Sequence, residues 1–161
     1  MAQEIERKFL IDPDKLDDLN CGITIKQGYV PTSDNTAVRV RIMGDQAFLT
    51  LKGENRGAVR TEFEYEIPVS DAEQMLAELC SGPKVDKTRY LITHDKHLWE
   101  LDIFAGDNLG LIVAEVELSS ETEVVNLPDW VTHEVTGDPK YYNSNLLENP
   151  YSNWTDKKQK P

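Results

Sequence analysis

Glu4, Glu6 and Lys8 alternate in the segment Glu4-Ile5-Glu6-Arg7-Lys8-Phe9-Leu10. In an extended strand, side chains two apart share a face, so these three line one side and Ile5, Arg7 and Phe9 the other. Two neighbouring carboxylates repel, and one lysine on the same line offsets only part of their charge. Such a row is either a solvated sheet face or part of a site where a bound cation meets a bound anion. Further rows of charge follow. Arg39 and Arg41 share a face opposite Val38, Val40 and Ile42, and Lys52 lies opposite Leu49 and Leu51. Arg60, Glu62, Glu64 and Glu66 run along one line, Lys87 and Arg89 along another, and Glu115 and Glu117 along a third.

A half-buried antiparallel sheet also has a polar outer face. Such faces mix Ser, Thr, Asn, Gln and both charges, whereas these rows are nearly pure. The apolar faces need a covering layer, and helices on the outside supply it, which turns the charged faces toward one another. The expected fold is α+β: an eight-stranded antiparallel β-barrel with a charged, water-filled interior and helices packed outside. Lys8, Arg39, Arg41, Lys52, Lys87 and Arg89 would repel one another inside an empty barrel. A polyphosphate would satisfy them, each Arg through bidentate bonds and each Lys as a point charge. Glu4, Glu6, Glu115 and Glu117 cannot bind phosphate directly, but they suit hard divalent cations, Mg²⁺ or Mn²⁺, that bridge to it.

The elements that must position these rows are legible in outline. Strands are predicted at 4–10, 24–30, 37–43, 46–53, 59–68, 84–92, 97–104 and 111–119. Gly44-Asp45 marks a tight hairpin, Glu54-Asn55-Arg56-Gly57 a looser one, and Asp95-Lys96 a third. A short helix should open at Asp12-Pro13 and run through Leu19. Ser70 and Glu73 predict a capping box for a helix at 71–80, with Ala72, Met75, Leu76 and Leu79 as its apolar stripe. Helices are also expected near 120–126 and 139–148.

At 161 residues, 39% hydrophobic and 29% charged, the chain can form one soluble domain with its own core. We expect that domain at 1–150, with a C-terminal tail at 151–161 that frays from Thr155 onward. The net charge of -12 argues against nucleic acid and anionic membranes as partners. Cys21 and Cys80 are too few for a disulfide framework or a zinc site and read as reduced thiols. The sequence shows no signal-peptide pattern and no membrane-spanning apolar run, so the expected location is the cytoplasm. His94, His97 and His133 lack metal-ligand spacing and read as exposed surface residues. A compact barrel of this kind is compatible with a homodimer.

Together the rows resemble the triphosphate tunnel metalloenzymes, also called the CYTH superfamily, in their short tripolyphosphatase-like branch. Glu4-x-Glu6-x-Lys8 matches the ExExK signature. Arg39-x-Arg41, Thr50-Leu51-Lys52, Arg60-x-Glu62-x-Glu64, Lys87-x-Arg89, Glu115-x-Glu117 and Lys140 follow in the family's order across residues 3 to about 148. The resemblance implies that Lys8, Arg39, Arg41, Lys52, Lys87 and Arg89 grip a triphosphate, with Arg60 and Lys140 as further contacts. It assigns metal binding to Glu4, Glu6, Glu115 and Glu117. Glu62 and Glu64 either assist a metal or form a structural ion-pair row with Arg60. It also implies a C-terminal helix that plugs one tunnel mouth, with Lys140 aimed at the phosphates. Tyr141 and Tyr142 are expected to pack, Tyr29 to project toward the tunnel, and Asp102 to support the basic and acidic pairs.

The reaction expected first is metal-dependent hydrolysis of inorganic tripolyphosphate to pyrophosphate and phosphate, with Glu6, Glu115, Glu117 and Lys8 at the reacting centre. The alternatives on the same scaffold are a class IV adenylyl cyclase and a nucleoside or thiamine triphosphatase. A non-catalytic protein that sequesters polyphosphate or nucleotides is the reading from another class. Four glutamates among the bases count against it, since a pure anion receptor gains nothing from them.

Overall fold

Alternating polarity becomes strand throughout the computed structural model, which describes residues 3–80, 82 and 84–154. The strands are β1 (Gln3–Ile11), β2 (Ile23–Val30), β3 (Ala37–Met43), β4 (Gln46–Lys52), β5 (Val59–Ile67), β6 (Val85–His94), β7 (His97–Phe104), β8 (Ile112–Glu117) and β9 (Val131–Glu134). Their order is β5-β4-β3-β2-β6-β7-β8-β1-β9, every adjacent pair is antiparallel, and β5 also pairs with β1. That last pairing closes β1 to β8 into the expected eight-stranded barrel. Gly44 at φ 62 turns β3 into β4, and Asp95 at φ 56 turns β6 into β7, a conformation that Asp tolerates better than most side chains.

Closure is thinnest between β5 and β1. Gln3, Glu4 and Ile5 pair with Thr61, Arg60 and Val59, and then the same edge of β1 changes partner. Phe9, Leu10 and Ile11 pair with β9, a strand the sequence did not announce because its Val-Thr-His-Glu is too short to show a period. At the changeover Gly137 abuts Gly57. A Cβ on Gly137 would stand 3.4 Å from the Gly57 Cα, and both residues have positive φ. Glycine lets the two turns meet there.

The outer apolar faces are covered in two patches. Phe9, Trp99, Leu101, Ala114 and Val116 pack under Trp130 and the 119–131 connection. Val40 and Ala47 pack under Ala72 and Leu76 of α1 (Val69–Glu78). Leu51, Phe63 and Tyr65 on the outside of β4 and β5 are left exposed. A third cluster lies inside. Leu10, Val85, Phe104 and Val113 have the same inward parity as the charged rows, but they sit at one end of the barrel and fill it. Tyr141, Leu146, Tyr151 and Trp154 close over them, with Trp154 edge-on to both tyrosines at 5.1 Å. Burial of each such side chain stabilises by about 1.5–3 kcal/mol. The barrel is therefore a pit with an apolar floor.

Several sequence expectations are corrected. The plug is not a 139–148 helix. It is a 3-10 turn at Pro139–Tyr141, an extended Tyr142, one helical turn α2 (Asn143–Leu146) and a second 3-10 turn at Tyr151–Asn153. Asn145 Nδ2 donates to Pro139 O and folds the segment back on itself. Tyr151 and Trp154 are buried, so the packed chain continues past 150, while the Thr155–Pro161 tail lies outside the described residues. The capping box fails because α1 starts at Val69 behind Pro68, which puts Ser70 inside the helix, and no side chain caps it. Leu79 ends up more than half exposed. The helix at 13–19 is only a 3-10 turn, Pro13–Lys15, since Leu16 is already extended. Residues 120–126 form no helix: Glu123 accepts from Ser119 N and Oγ and pairs with His97 Nε2, which competes with helical hydrogen bonding. His97 is thus mostly buried rather than exposed.

Candidate active site

Inward parity and barrel closure bring the charged rows around one cavity of about 440 Å³ above the apolar floor. β3 and β4 contribute Arg39, Arg41 and Lys52; β1 and β8 contribute Glu4, Glu6, Lys8, Glu115 and Glu117. Arg60, Glu62 and Glu64 enter from β5, and Arg89 from β6. Tyr29 lines the wall as expected, and so does Tyr142, which was expected only to pack.

The cationic wall is only partly neutralised. Arg39 Nη2 donates to Thr50 Oγ1 and Glu64 Oε2, both at 3.3 Å, while its buried Nε has no hydrogen-bond partner among the described residues. Arg41 Nε donates to Gln27 Oε1 at 2.8 Å. Burial, then the charges of Arg39 and Arg89, bring the Arg41 guanidinium down to about 10. Burial is the larger cause, and the like charges beside Arg41 add to a stress that a bound anion would relieve. Lys52 Nζ lies 3.5 Å from both Glu4 Oε1 and Glu62 Oε2, and Arg60 Nε donates to Gly53 O at 2.7 Å.

The acidic wall shows the opposite stress. Burial and then the neighbouring Glu115 push Glu6 well above the usual carboxylate range. Burial would raise Glu115 too, but Lys8 and a hydrogen bond from Glu6 hold it below that range. Glu4 is pushed up to about 7 by burial, whereas its partner Glu62 is held down, against burial, by the Glu4 hydrogen bond and Lys52. Lys8 lies between the walls, with Nζ 3.8 Å from Glu115 Oε2 and donating to Tyr141 O at 3.2 Å. Burial works against its charge, but Glu115 and Glu6 outweigh burial and keep it protonated.

Among the described residues, no group of three or more His, Cys, Asp or Glu side chains is already arranged to hold a metal ion. The donor chemistry nevertheless fits a hard divalent ion. All the donors are carboxylates, and they stand as two close pairs, Glu6 beside Glu115 and Glu4 beside Glu62, with one member of each pair pushed up and the other held down. Apart from the ion pair with Lys52 at 3.5 Å, the buried Glu62 Oε2 has no hydrogen-bond partner among the described residues. A divalent ion would offset the mutual repulsion that these paired carboxylates carry when ionised.

Two expected site residues are elsewhere. Lys140 lies with its Nζ 4.1 Å from the Trp154 ring centroid and does not line the pit. Lys87 is fully enclosed beneath the wall, 2.8 Å from Asp102. The sequence reading missed Glu100, which lines the pit and accepts from Arg89 Nη1 at 3.1 Å. Its parity with Asp102 on β7 was the available signal. It also missed Thr136, Asn143 and Ser144, whose segment carries no periodic pattern. A second cavity of about 690 Å³ joins the first, sharing Tyr29, Asn55, Arg60, Tyr142 and Ser144.

Comparison with known proteins agrees with this geometry. The family model described as CYTH domain matches residues 2–144. An inorganic triphosphatase of Acetivibrio thermocellus is 46% identical over 154 residues, spanning 96% of this chain and 99% of its own length. One from Nitrosomonas europaea is 40% identical over 147 residues, spanning 89% and 95%. The crystal structure of the inorganic triphosphatase NE1496 superposes with a TM-score of 0.65 at 38% identity, covering 91% of this chain and 95% of that one. With this match along nearly its whole length, and charged rows that meet inside a closed barrel, the chain belongs to the CYTH domain family.

Proposed function

We propose that this protein is a divalent-metal-dependent inorganic triphosphatase that hydrolyses tripolyphosphate to pyrophosphate and phosphate. The observation that carries the reading is a wall of Arg39, Arg41, Lys52 and Arg89 facing a cluster of carboxylates across one closed-ended pit. The two relatives named inorganic triphosphatase, each aligned over nearly their full length, support it.

Arg39, Arg41, Lys52 and Arg89 bind the phosphate oxygens and set the chain's position, with Arg60 at the junction of the two cavities. Their fixed charges stabilise the negative charge that develops on the leaving pyrophosphate. Glu4, Glu6, Glu115 and Glu117, assisted by Glu62, would hold Mg²⁺ or Mn²⁺, which would supply charge neutralisation of the phosphates and acidify water at the site. Lys8 keeps Glu115 ionised and adds a cation where the two walls meet. Glu64 orients Arg39.

The joined second cavity favours one further reading, an organic triphosphate such as a nucleoside or thiamine triphosphate with its organic group seated there. Purified protein assayed with tripolyphosphate, ATP and thiamine triphosphate, each with Mg²⁺, Mn²⁺ or EDTA, separates the two. Fastest turnover of tripolyphosphate, abolished by EDTA, is expected. Cyclic AMP as the main product from ATP would replace the hydrolase reading with a cyclase.

A further inference from the structure

Lys87 and Asp102 occupy positions that direct phosphate binding does not explain. The Lys87 ammonium has no exposed surface and forms no part of the pit wall. Its Nζ is 2.8 Å from Asp102 Oδ2 and 3.5 Å from Asn143 Oδ1. Asp102 grips Arg89 from the same side, with Nε to Oδ1 at 2.7 Å and Nη2 to Oδ2 at 2.9 Å. Arg89 itself does line the pit. A lone carboxylate held this closely would cancel the charge Arg89 presents to an anion. With Lys87 behind it, the buried Lys87–Asp102–Arg89 triad has two cations and one carboxylate and is net positive. The further Glu100 carboxylate, 3.1 Å from Arg89, is 40% exposed and screened by water. Glu115, 3.9 Å from Arg89, has Lys8 as its own counter-charge.

We propose that Asp102 is a positioning residue that fixes the Arg89 fork, and that Lys87 is a buried counter-charge keeping the Asp102–Arg89 pair positive toward the phosphate without touching it. Lys87 thus contributes affinity by proxy. The inference rests on the reading that the pit binds a triphosphate, and it replaces the direct contact expected for Lys87.

A double-mutant cycle tests it, with tripolyphosphate binding measured calorimetrically in EDTA and kcat and KM measured with metal. Lys87→Met should weaken binding about ten-fold or more, because the carboxylate then neutralises Arg89. Lys87→Met combined with Asp102→Asn should recover most of that loss, chiefly in KM, since Arg89 keeps its charge beside a neutral amide that still accepts from Nε. A double variant that binds as weakly as Lys87→Met, or more weakly, overturns the proposal. If either variant fails to fold, ¹⁵N spectra of the wild-type lysine ammonium groups decide. At a pH well below 7, where Lys87 is already fully protonated, its resonance should shift less than that of Lys52 on tripolyphosphate addition, and an equal response from both overturns the proposal. Wild-type protein that neither binds nor hydrolyses tripolyphosphate removes the functional reading and this inference together. Tripolyphosphate binding by the wild type with a failed cycle removes the inference alone.

Discussion

Arg39→Ala should separate activity from stability. Among the described residues, Arg39 has a buried Nε without a hydrogen-bond partner and an Nη2 held by two long contacts of 3.3 Å. A phosphate oxygen would gain charge-assisted bonds from these groups, each worth about 1.5–3 kcal/mol. Loss of one such bond corresponds to a fall of about 10- to 150-fold in kcat/KM for tripolyphosphate. Stability should move little or rise. Arg39 is the nearest cause, after burial, of the depressed Arg41 guanidinium, so its removal relieves repulsion. The Glu64 carboxylate it leaves behind is already 40% exposed and can hydrate. Arg39→Lys keeps the charge but loses the planar fork, so it should recover only part of the activity. The assay is phosphate release from tripolyphosphate, alongside thermal and urea unfolding of the same preparations. Unchanged kcat/KM in Arg39→Ala would refute the assignment, and so would a fall in activity matched by several kcal/mol of lost stability.

Glu6→Gln should fold normally and lose Mn²⁺ affinity and turnover together; Mn²⁺ titration followed by electron paramagnetic resonance, with wild-type affinity retained, would remove Glu6 from the metal set. Lys140→Ala should stay within about two-fold of wild-type kcat/KM, since its ammonium lies over Trp154; a loss on the scale of a phosphate contact, about ten-fold or more, would return it to the pit. Trp154→Ala should cost about 3–5 kcal/mol in chemical denaturation by opening the plug, and no change would show that the barrel floor is self-sufficient. Burial, partly opposed by Asp102 and reinforced by Arg89 and Arg41, brings Lys87 down to about 7. Glu115 and Asn143 are the other polar groups facing it. Its positive charge is therefore present below about pH 7 and lost above, so metal-free tripolyphosphate affinity should fall as pH rises through neutrality; Glu4, also at about 7, adds to that fall, which should be shallower but not absent in the Lys87→Met/Asp102→Asn protein. The stability sign is opposite. Between about 7 and 10.5 the unfolded chain holds a proton that the native one does not, so this group's contribution to stability rises across that interval.

The period-two rows were readable because a strand places side chains on alternate faces whatever it packs against. Glu4, Glu6 and Lys8 share a face by covalent geometry, as do Arg39 with Arg41 and Glu115 with Glu117. Purity of charge along those rows then required an enclosed interior, and the ordered set of motifs named the family. The helical expectations fared worse because their signals are local and easily overruled. Ser70 and Glu73 fit a capping box in sequence, yet Pro68 starts the helix earlier. Asp138-Pro139 offers a helix start ahead of 139–148, but the buried positions Tyr141, Leu146, Tyr151 and Trp154 follow the shape of the barrel floor instead.

The sequence by itself determined which residues face inward, because parity is a property of the backbone. Depth along the barrel axis was decided only by tertiary structure. Strand tilt and register set how far each row descends, and these depend on pairing between distant segments. Lys87 and Arg89 are two residues apart on one face, yet Arg89 lines the pit and Lys87 lies beneath it against Asp102 and Phe104. Leu10, Val85, Phe104 and Val113 continue the charged rows in sequence, and closure of the barrel turns them into its floor.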